Sequence, residues 1–246
     1  SANGRCRAYA GNTTLEFFPN NNPLVSNDAG SLILKIDDSG LHADSTGTTR
    51  CWWCVGDEEY ERYHDGEWGH PVTDDQFLFE KICLEGFQSG LSWLTILRKR
   101  EHFREAFKQF DFMKVAAFGP RQIAALLKNK GIVRHKGKIE ATINNAARAV
   151  EMKNEFGSLA AWFWQFEPDL QGRAPLQSKV EACMRTTCES AMLMSKQLKK
   201  RGWKFVGPTT SYAFMQAMGM VNDHIVGCSQ FETVEKLRKD LTRPTP

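Results

Sequence analysis

Apolar positions recur at helical spacing through most of the 246-residue chain, and the residues between them read as caps and turns. Thr73-Asp74-Asp75-Gln76 has the form of a capping box, in which Thr73 accepts the Gln76 N–H while the Gln76 side chain reaches back. The helix it opens carries Leu78, Ile82 and Glu85 at i, i+4 and i+7, on one stripe. Ser92 is read as the cap of the next helical stretch, with Trp93, Ile96 and Leu97 facing inward. Pro120 stands where a first helical turn tolerates proline, and Gly131 is read as ending that helix. A long helix is expected over residues 136–155, with Ile139, Ile143 and Val150 on one side. Shorter ones follow around 160–166, 189–200, 210–218 and 234–240. No alternating strand pattern of any length appears after residue 50, so the expected fold class is all-α.

The first fifty residues differ. Asn, Gly, Ser, Thr and Asp dominate there, as in Gly11-Asn12-Thr13-Thr14 and Asn20-Asn21-Asn22-Pro23, and the segment reads as tail or loop. One run, Leu32-Ile33-Leu34-Lys35-Ile36, could pair as a strand. The expected organisation is an N-terminal extension over 1–49, a helical domain over 50–232, and a C-terminal tail with a short helix over 233–246.

Composition narrows the class without naming a function. Hydrophobic residues make up 41% and charged residues 25%, ordinary for a soluble globular protein. The net charge of +3 announces no nucleic-acid binder, so any electrostatic footprint must come from local clusters. Seven cysteines, an odd count at irregular spacing, point to reduced thiols rather than a secreted disulfide framework. No apolar run approaches the length of a membrane span, and a soluble, intracellular chain is expected.

Two pairs of metal-ligand types stand far apart: Cys51 with His64, and His224 with Cys228. Together they could close a tetrahedral Cys2His2 site of the structural zinc kind and tie the two ends of the helical domain. Unrelated buried cysteines and surface histidines fit the spacing equally well. Cys51-Trp52-Trp53-Cys54 is a further Cys-x-x-Cys that could itself supply a metal pair.

Glu85 lies on the apolar stripe of its helix, beside Gly86 and Gly90, and charged residues are rarely buried without a partner. A helix-end carboxylate reaching solvent or a lysine is an equal reading. The surroundings are dense in aromatics: Trp53, Tyr63, Trp68 and Trp93. With an inward carboxylate they would suit a flat, electron-poor base, stacked on ring faces that attract positive charge.

Residues 126–139 read as helix, tight turn, helix. The N–H groups opening the second helix could hold a phosphate, with Lys136 and Lys138 flanking Gly137, or the lysines could simply be solvated. Further basic clusters are Lys199-Lys200-Arg201 with Lys204, and Arg98-Lys99-Arg100.

Read together, these residues resemble the 3-methyladenine DNA glycosylase I family. The matching strings include Arg50-Cys51, Tyr63-His64-Asp65, Glu67-Trp68-Gly69, Ile82-Cys83-Leu84-Glu85-Gly86 and Gly90-Leu91-Ser92-Trp93. Later come Gly131-Ile132-Val133-Arg134-His135-Lys136-Gly137-Lys138-Ile139, Leu198-Lys199-Lys200-Arg201-Gly202, Lys204-Phe205-Val206-Gly207 and Val221-Asn222-Asp223-His224. The resemblance implies a helix–hairpin–helix glycosylase domain over 50–232. It implies zinc (Zn2+) on Cys51, His64, His224 and Cys228, and a base pocket of Glu85, Tyr63, Trp93, Trp53 and Trp68, with Glu85 the catalytic candidate. DNA contacts would fall on Gly90, Leu91, Lys136, Gly137 and Lys138, with Leu91 as the wedge. The expected activity is hydrolysis of the 3-methyladenine glycosidic bond in double-stranded DNA by a monomer found with the DNA. No lysine holds an obvious Schiff-base position, so no strand cleavage is expected. A zinc-stabilised DNA-binding module, or a glycosylase that also takes 3-methylguanine, are the alternatives. Three features depart from the family pattern: the N-terminal extension, Cys54 in place of an apolar residue, and residues 168–188.

Overall fold

The computed structural model describes residues 8–10, 13–15, 39–169 and 173–245, which form helices and two short hairpins. Two strands pair antiparallel as β1 (Ala8–Ala10) and β2 (Thr13–Leu15), and two more as β3 (Leu41–Ala43) and β4 (Thr49–Cys51). The candidate strand at 32–36 lies outside the described residues. The helices are α1 (Glu58–Gly66), α2 (Asp75–Gln88), α3 (Trp93–Leu97), α4 (Arg100–Ala106), α5 (Phe112–Val115) and α6 (Pro120–Lys128). They continue as α7 (Lys136–Phe156), α8 (Leu159–Phe163), α9 (Lys179–Met184), α10 (Glu189–Lys200), α11 (Pro208–Ala217) and α12 (Phe231–Asp240). The fold is mostly helical.

The centre of the core is α2, which packs against α3, α7, α8 and α11. Every residue from Leu78 to Gln88 is buried, so α2 has no solvent face beyond its first turn and its Lys81 and Glu85 are enclosed with the rest. A helix covered on all sides shows little periodicity, and its start is set by the cap instead. That cap is Asp74, whose carboxylate accepts the Phe77 N–H at 2.8 Å, rather than Thr73 as expected. Gln76 does not reach back. Its Nε2 donates to the Gln109 carbonyl at 2.6 Å, which ties α2 to the turn after α4.

Ser92 caps α3 by accepting the Thr95 N–H at 3.2 Å, and Trp93, Ile96 and Leu97 are buried as the pattern requires. Pro120 opens α6, but α6 ends at Lys128 with Asn129 as its cap, two residues before Gly131. The α6–α7 turn is closed by the Gly131 N–H donating to Asn129 Oδ1 at 2.8 Å. Residues 41–51, read as loop up to residue 49, form the β3–β4 hairpin that delivers Cys51 to the core. Cys51, Cys54, Cys83, Cys188 and Cys228 are free thiols, while Cys183 is disulfide-bonded, a departure from the expectation of reduced cysteines. No described helix is long and apolar enough to cross a membrane.

Within residues 168–188, which the sequence pattern leaves unassigned, the described residues 173–188 brace the segment after α11. Val226 N–H donates to the Leu176 carbonyl at 2.9 Å, and Leu176 bridges Ile225. Arg173 donates to the Tyr212 hydroxyl at 2.6 Å and pairs with the buried Asp223, which also accepts from Tyr212 and Gln216. A buried carboxylate needs such partners, and the bracing fixes the chain one residue ahead of His224.

Candidate active site and metal centre

Four residues of two ligand types, cysteine and histidine, converge at the junction of β4, α1 and the turn before α12. Cys51, His64, His224 and Cys228 are all buried, and one ligand atom from each lies within 4.8 Å of the others. Cys228 Sγ is 3.5 Å from His64 Nε2 and 3.6 Å from His224 Nδ1, and Cys51 Sγ is 4.0 Å from His224 Nδ1. Bonds of roughly 2.0–2.3 Å to a central tetrahedral ion would separate ligands by about 3.3–3.8 Å, so the cluster fits one ion after small adjustments.

The outer nitrogens of both histidines are already committed. His64 Nδ1 pairs with Asp65 at 2.7 Å, and His224 Nε2 donates to the Trp68 carbonyl at 3.1 Å. Each ring is thereby fixed in the tautomer that presents its other nitrogen to the cluster. Asp65 is itself gripped by Arg50 at 2.8–3.1 Å, and Arg50 in turn by Asp44 at 2.7 Å. Burial opposes the Asp65 charge, but Arg50 and His64 outweigh it and hold the carboxyl below its usual range.

The sulfurs are unequal. Hydrogen bonding from Cys51, helped by His224 and His64, holds the Cys228 thiol far below its ordinary value, while the Cys228 charge and burial push Cys51 up. The two sulfurs share one hydrogen bond and titrate as a pair. Cys54 stands apart from the cluster: its thiol donates to the Cys51 carbonyl at 3.2 Å, and burial pushes it up. Gly69, at φ +85°, lies where an added Cβ would sit 3.2 Å from His224 Nε2, so only glycine leaves that ring undisturbed.

Tyr63, one residue before His64 on α1, opens the second site. Its ring centroid is 5.5 Å from that of Trp93, with the planes tilted by 43°. Glu85 comes up beside them from α2, buried like both rings. Burial raises the Tyr63 phenol well above its ordinary value, with the Glu85 charge adding to the effect. Trp93 Nε1 is buried without an acceptor among the described residues. Trp53 joins the group edge-on, 6.4 Å from Tyr63 and 4.9 Å from Trp68. Trp68 lies nearer the metal-type cluster, 4.7 Å from the His224 ring. These two tryptophans form the wall between the sites.

One residue at this site is missing from the sequence reading. Lys81, one turn before Glu85 on α2, places Nζ 3.0 Å from the Glu85 carboxylate and 2.7 Å from the Tyr63 hydroxyl. The same ammonium lies 3.3 Å from the Trp93 ring centroid. The i, i+4 spacing to Glu85 is the signal that could have found it.

Alongside lies a loop with an exposed tip. Gly90, at φ +85° with open space around it, turns the chain after α2 and leaves Leu91 42% exposed beside the buried aromatics. An exposed leucine on a tight turn is the shape of a wedge. In the α6–α7 turn, His135 accepts the Lys138 N–H at 3.1 Å, and Gly137 lies against the His135 ring. Lys136 is exposed, with Glu140 at 3.8 Å.

Lys138 departs from expectation. It is buried, and its Nζ donates to the carbonyls of Phe87 at 2.8 Å and Ser89 at 2.6 Å. Its charge is spent on the C-terminal end of α2, where the helix dipole favours a cation. Of the other basic clusters, Arg98, Lys99 and Arg100 are tied to Asp57, to the Lys130 and Gly131 carbonyls and to Glu67. Lys199, Lys200 and Lys204 are exposed.

The sequence that builds these sites matches the family model of the methyladenine glycosylases over residues 53–232. The chain belongs to the methyladenine glycosylase family. It is 46% identical over 182 residues to the DNA-3-methyladenine glycosylase 1 of Escherichia coli K12, covering 73% of this chain and 95% of that one. A crystal structure of a 3-methyladenine DNA glycosylase I superposes with a TM-score of 0.68 at 47% identity, covering 73% of this chain and 98% of that one. The Staphylococcus aureus enzyme, whose structure addresses 3-methyladenine recognition, superposes at 0.67 with 34% identity, over 72% of this chain and 93% of that one. The family match begins at Trp53, so within it fall His64, His224 and Cys228, while Cys51 and the β3–β4 hairpin lie just outside.

Proposed function

We propose that this protein excises 3-methyladenine from alkylated double-stranded DNA, cleaving the N-glycosidic bond as the first step of base-excision repair. The observation that carries the reading is the convergence of Tyr63, Trp93 and Glu85 in one buried site, in a chain of this family. A lesion nucleobase methylated at N3 is a cation, so its glycosidic bond is already weak. Breaking it returns the bond's electron pair to the base, which leaves neutral, while water adds at C1′ and loses a proton to solvent. Little general-acid help is needed. Tyr63 and Trp93 supply ring faces for the flat base, and Glu85 is the carboxylate that accepts its N–H groups and faces the developing sugar cation. A pure DNA-binding module would have no use for an inward carboxylate among aromatics.

The remaining assignments belong to the same reading. Turning the base out of the stack costs a few kcal/mol, less for a destabilised lesion, and Leu91 fills the gap it leaves. α6, its turn and α7 are the helix–hairpin–helix element, with Gly137 and the exposed Lys136 against the backbone. Cys51, His64, His224 and Cys228 hold a zinc ion in a closed structural site that ties β4 and α1 to the segment before α12. Their donor set and their fixed ring nitrogens support that choice. Where the DNA of the host is kept is where this enzyme works.

The purified chain should create abasic sites in methylated duplex but not in untreated duplex, with the strands left intact. Failure to do so with metal bound would refute the reading. The two hairpin lysines should also separate. Lys136→Ala should weaken binding to damaged and undamaged duplex alike, lowering the slope of log affinity against log salt by about one unit or slightly less. Lys138→Ala should instead loosen the C-terminal end of α2, seen as a lower melting temperature with that slope unchanged.

A further inference from the structure

Lys81 is not accounted for by this mechanism, and at first sight it opposes it. A pocket that selects a cationic base should carry net negative charge, yet an ammonium stands among its three recognition groups. Its Nζ is 3.0 Å from the Glu85 carboxylate, 2.7 Å from the Tyr63 hydroxyl and 3.3 Å from the Trp93 ring centroid. These are the contacts of a recognised cation: a carboxylate for its charge, an acceptor for its N–H, and an aromatic face. Lysine is seldom buried without such a set.

We propose that Lys81 is the resident cation of the base pocket and a specificity-determining residue: it occupies the place of the charged base, and the base enters as Lys81 surrenders its proton to solvent. Two positive charges in one enclosed site repel strongly. The neutral amine has no such quarrel and gains a lone pair that can accept from an N–H of the base. Lys81 borders a cavity of about 170 Å³ that Met218, Phe77 and Val72 also line, so its side chain has room to readjust within the fold.

The geometry also leaves Lys81 as the group to titrate. Burial lowers it to about 8, with the Glu85 charge pulling the other way. The other charged and titratable groups facing it come from every neighbouring element. Tyr63 is raised well above its ordinary value by burial, and His70, beyond α1, is pushed down by burial. Arg100, from α4, stays charged against Glu67, and Glu80, on α2, is held by Arg104. Among the described residues, Glu85 completes the set.

The inference rests on the glycosylase reading, and the test separates the two. Release of 3-methyladenine from methylated duplex is measured in single turnover at saturating protein, from pH 6.5 to 9.5, with the uncatalysed rate subtracted. The fraction of neutral lysine rises from about a tenth at pH 7 to about nine-tenths at pH 9 for a group titrating near 8. The wild-type rate should therefore climb about tenfold between those values. Lys81→Met, and Lys81→Gln as the polar variant should the first fold poorly, should release the base at a rate flat over the same interval. Binding to a duplex carrying the neutral isostere 3-deaza-3-methyladenine should show no step in the wild type. A flat wild-type profile overturns the proposal. So does a rise that survives both substitutions, or a folded Lys81→Gln protein that releases nothing at any pH. Absence of release by the wild type at every pH would instead sink the glycosylase reading itself.

Discussion

Cys228→Ser should purify without zinc and melt about 10 °C or more below the wild type. Structural zinc sites contribute on the order of 10 kcal/mol of apparent binding energy to folding, and each kcal/mol moves the midpoint of a chain this size by roughly 2–4 °C. Cys228 is the sulfur to remove, because it lies 3.5 Å from His64 Nε2 and 3.6 Å from His224 Nδ1. Cys54→Ser is the matched control: its thiol is equally buried but donates only to the Cys51 carbonyl. Metal analysis and thermal melting of both variants decide the matter. Zinc retained in Cys228→Ser, or lost from Cys54→Ser while His64→Ala keeps it, would show that the ligand set is wrong.

Glu85→Gln should slow release of 3-methyladenine at saturating enzyme by roughly a hundredfold, the scale on which one preorganised electrostatic partner of a transition state counts. Affinity for undamaged duplex should stay within twofold, because phosphate contacts dominate that term. The substitution also strips Lys81 of its carboxylate, 3.0 Å away. The double variant Glu85→Gln with Lys81→Met therefore belongs in the same experiment, since residues in contact are not additive. The double variant should be less impaired than the product of the two single effects. Release by Glu85→Gln at the wild-type rate would remove Glu85 from the site's chemistry.

What the sequence disclosed about the fold depended on how each element is stabilised. α10 was legible over the same bounds it has in the structure, Glu189–Lys200, because one face is buried and the other solvated. α1 was not, since Glu58-Glu59-Tyr60-Glu61-Arg62 gives no apolar stripe and the helix is held by its Asp57 cap and by Tyr63 and His64 turning inward. The β3–β4 hairpin escaped for a similar reason: three-residue strands leave almost no pattern to read.

The site divides along the same line. Residue types left the Cys/His cluster evenly matched with unrelated cysteines and histidines, and the family strings chose it; its closure spans 160 or more residues and only the packing of β4, α1 and the turn after α11 brings it about. Tyr63, Trp93 and Glu85 were found through the family strings, and the fold places them together. Lys138 was misplaced because basic residues near a turn look alike in sequence. Its direction is set by the carbonyls at the end of α2, which sequence spacing does not reveal. Residues 168–188 carry no recognisable motif because their work is done by Arg173, Arg185 and a short bridge at Leu176, all converging on the chain around Asp223 and Ile225.

If the buried Tyr63–Trp93–Glu85 site removes a methylated base, the identity of the base set free will show it. Purified protein with its metal measured should be incubated with duplex DNA methylated to carry several alkylated purines, and the soluble products separated by chromatography. Free 3-methyladenine should be the dominant product, with the much more abundant 7-methylguanine left in the polymer and any 3-methylguanine released more slowly. Release of 7-methylguanine in proportion to its abundance, or no free base at all from zinc-loaded protein, would contradict it.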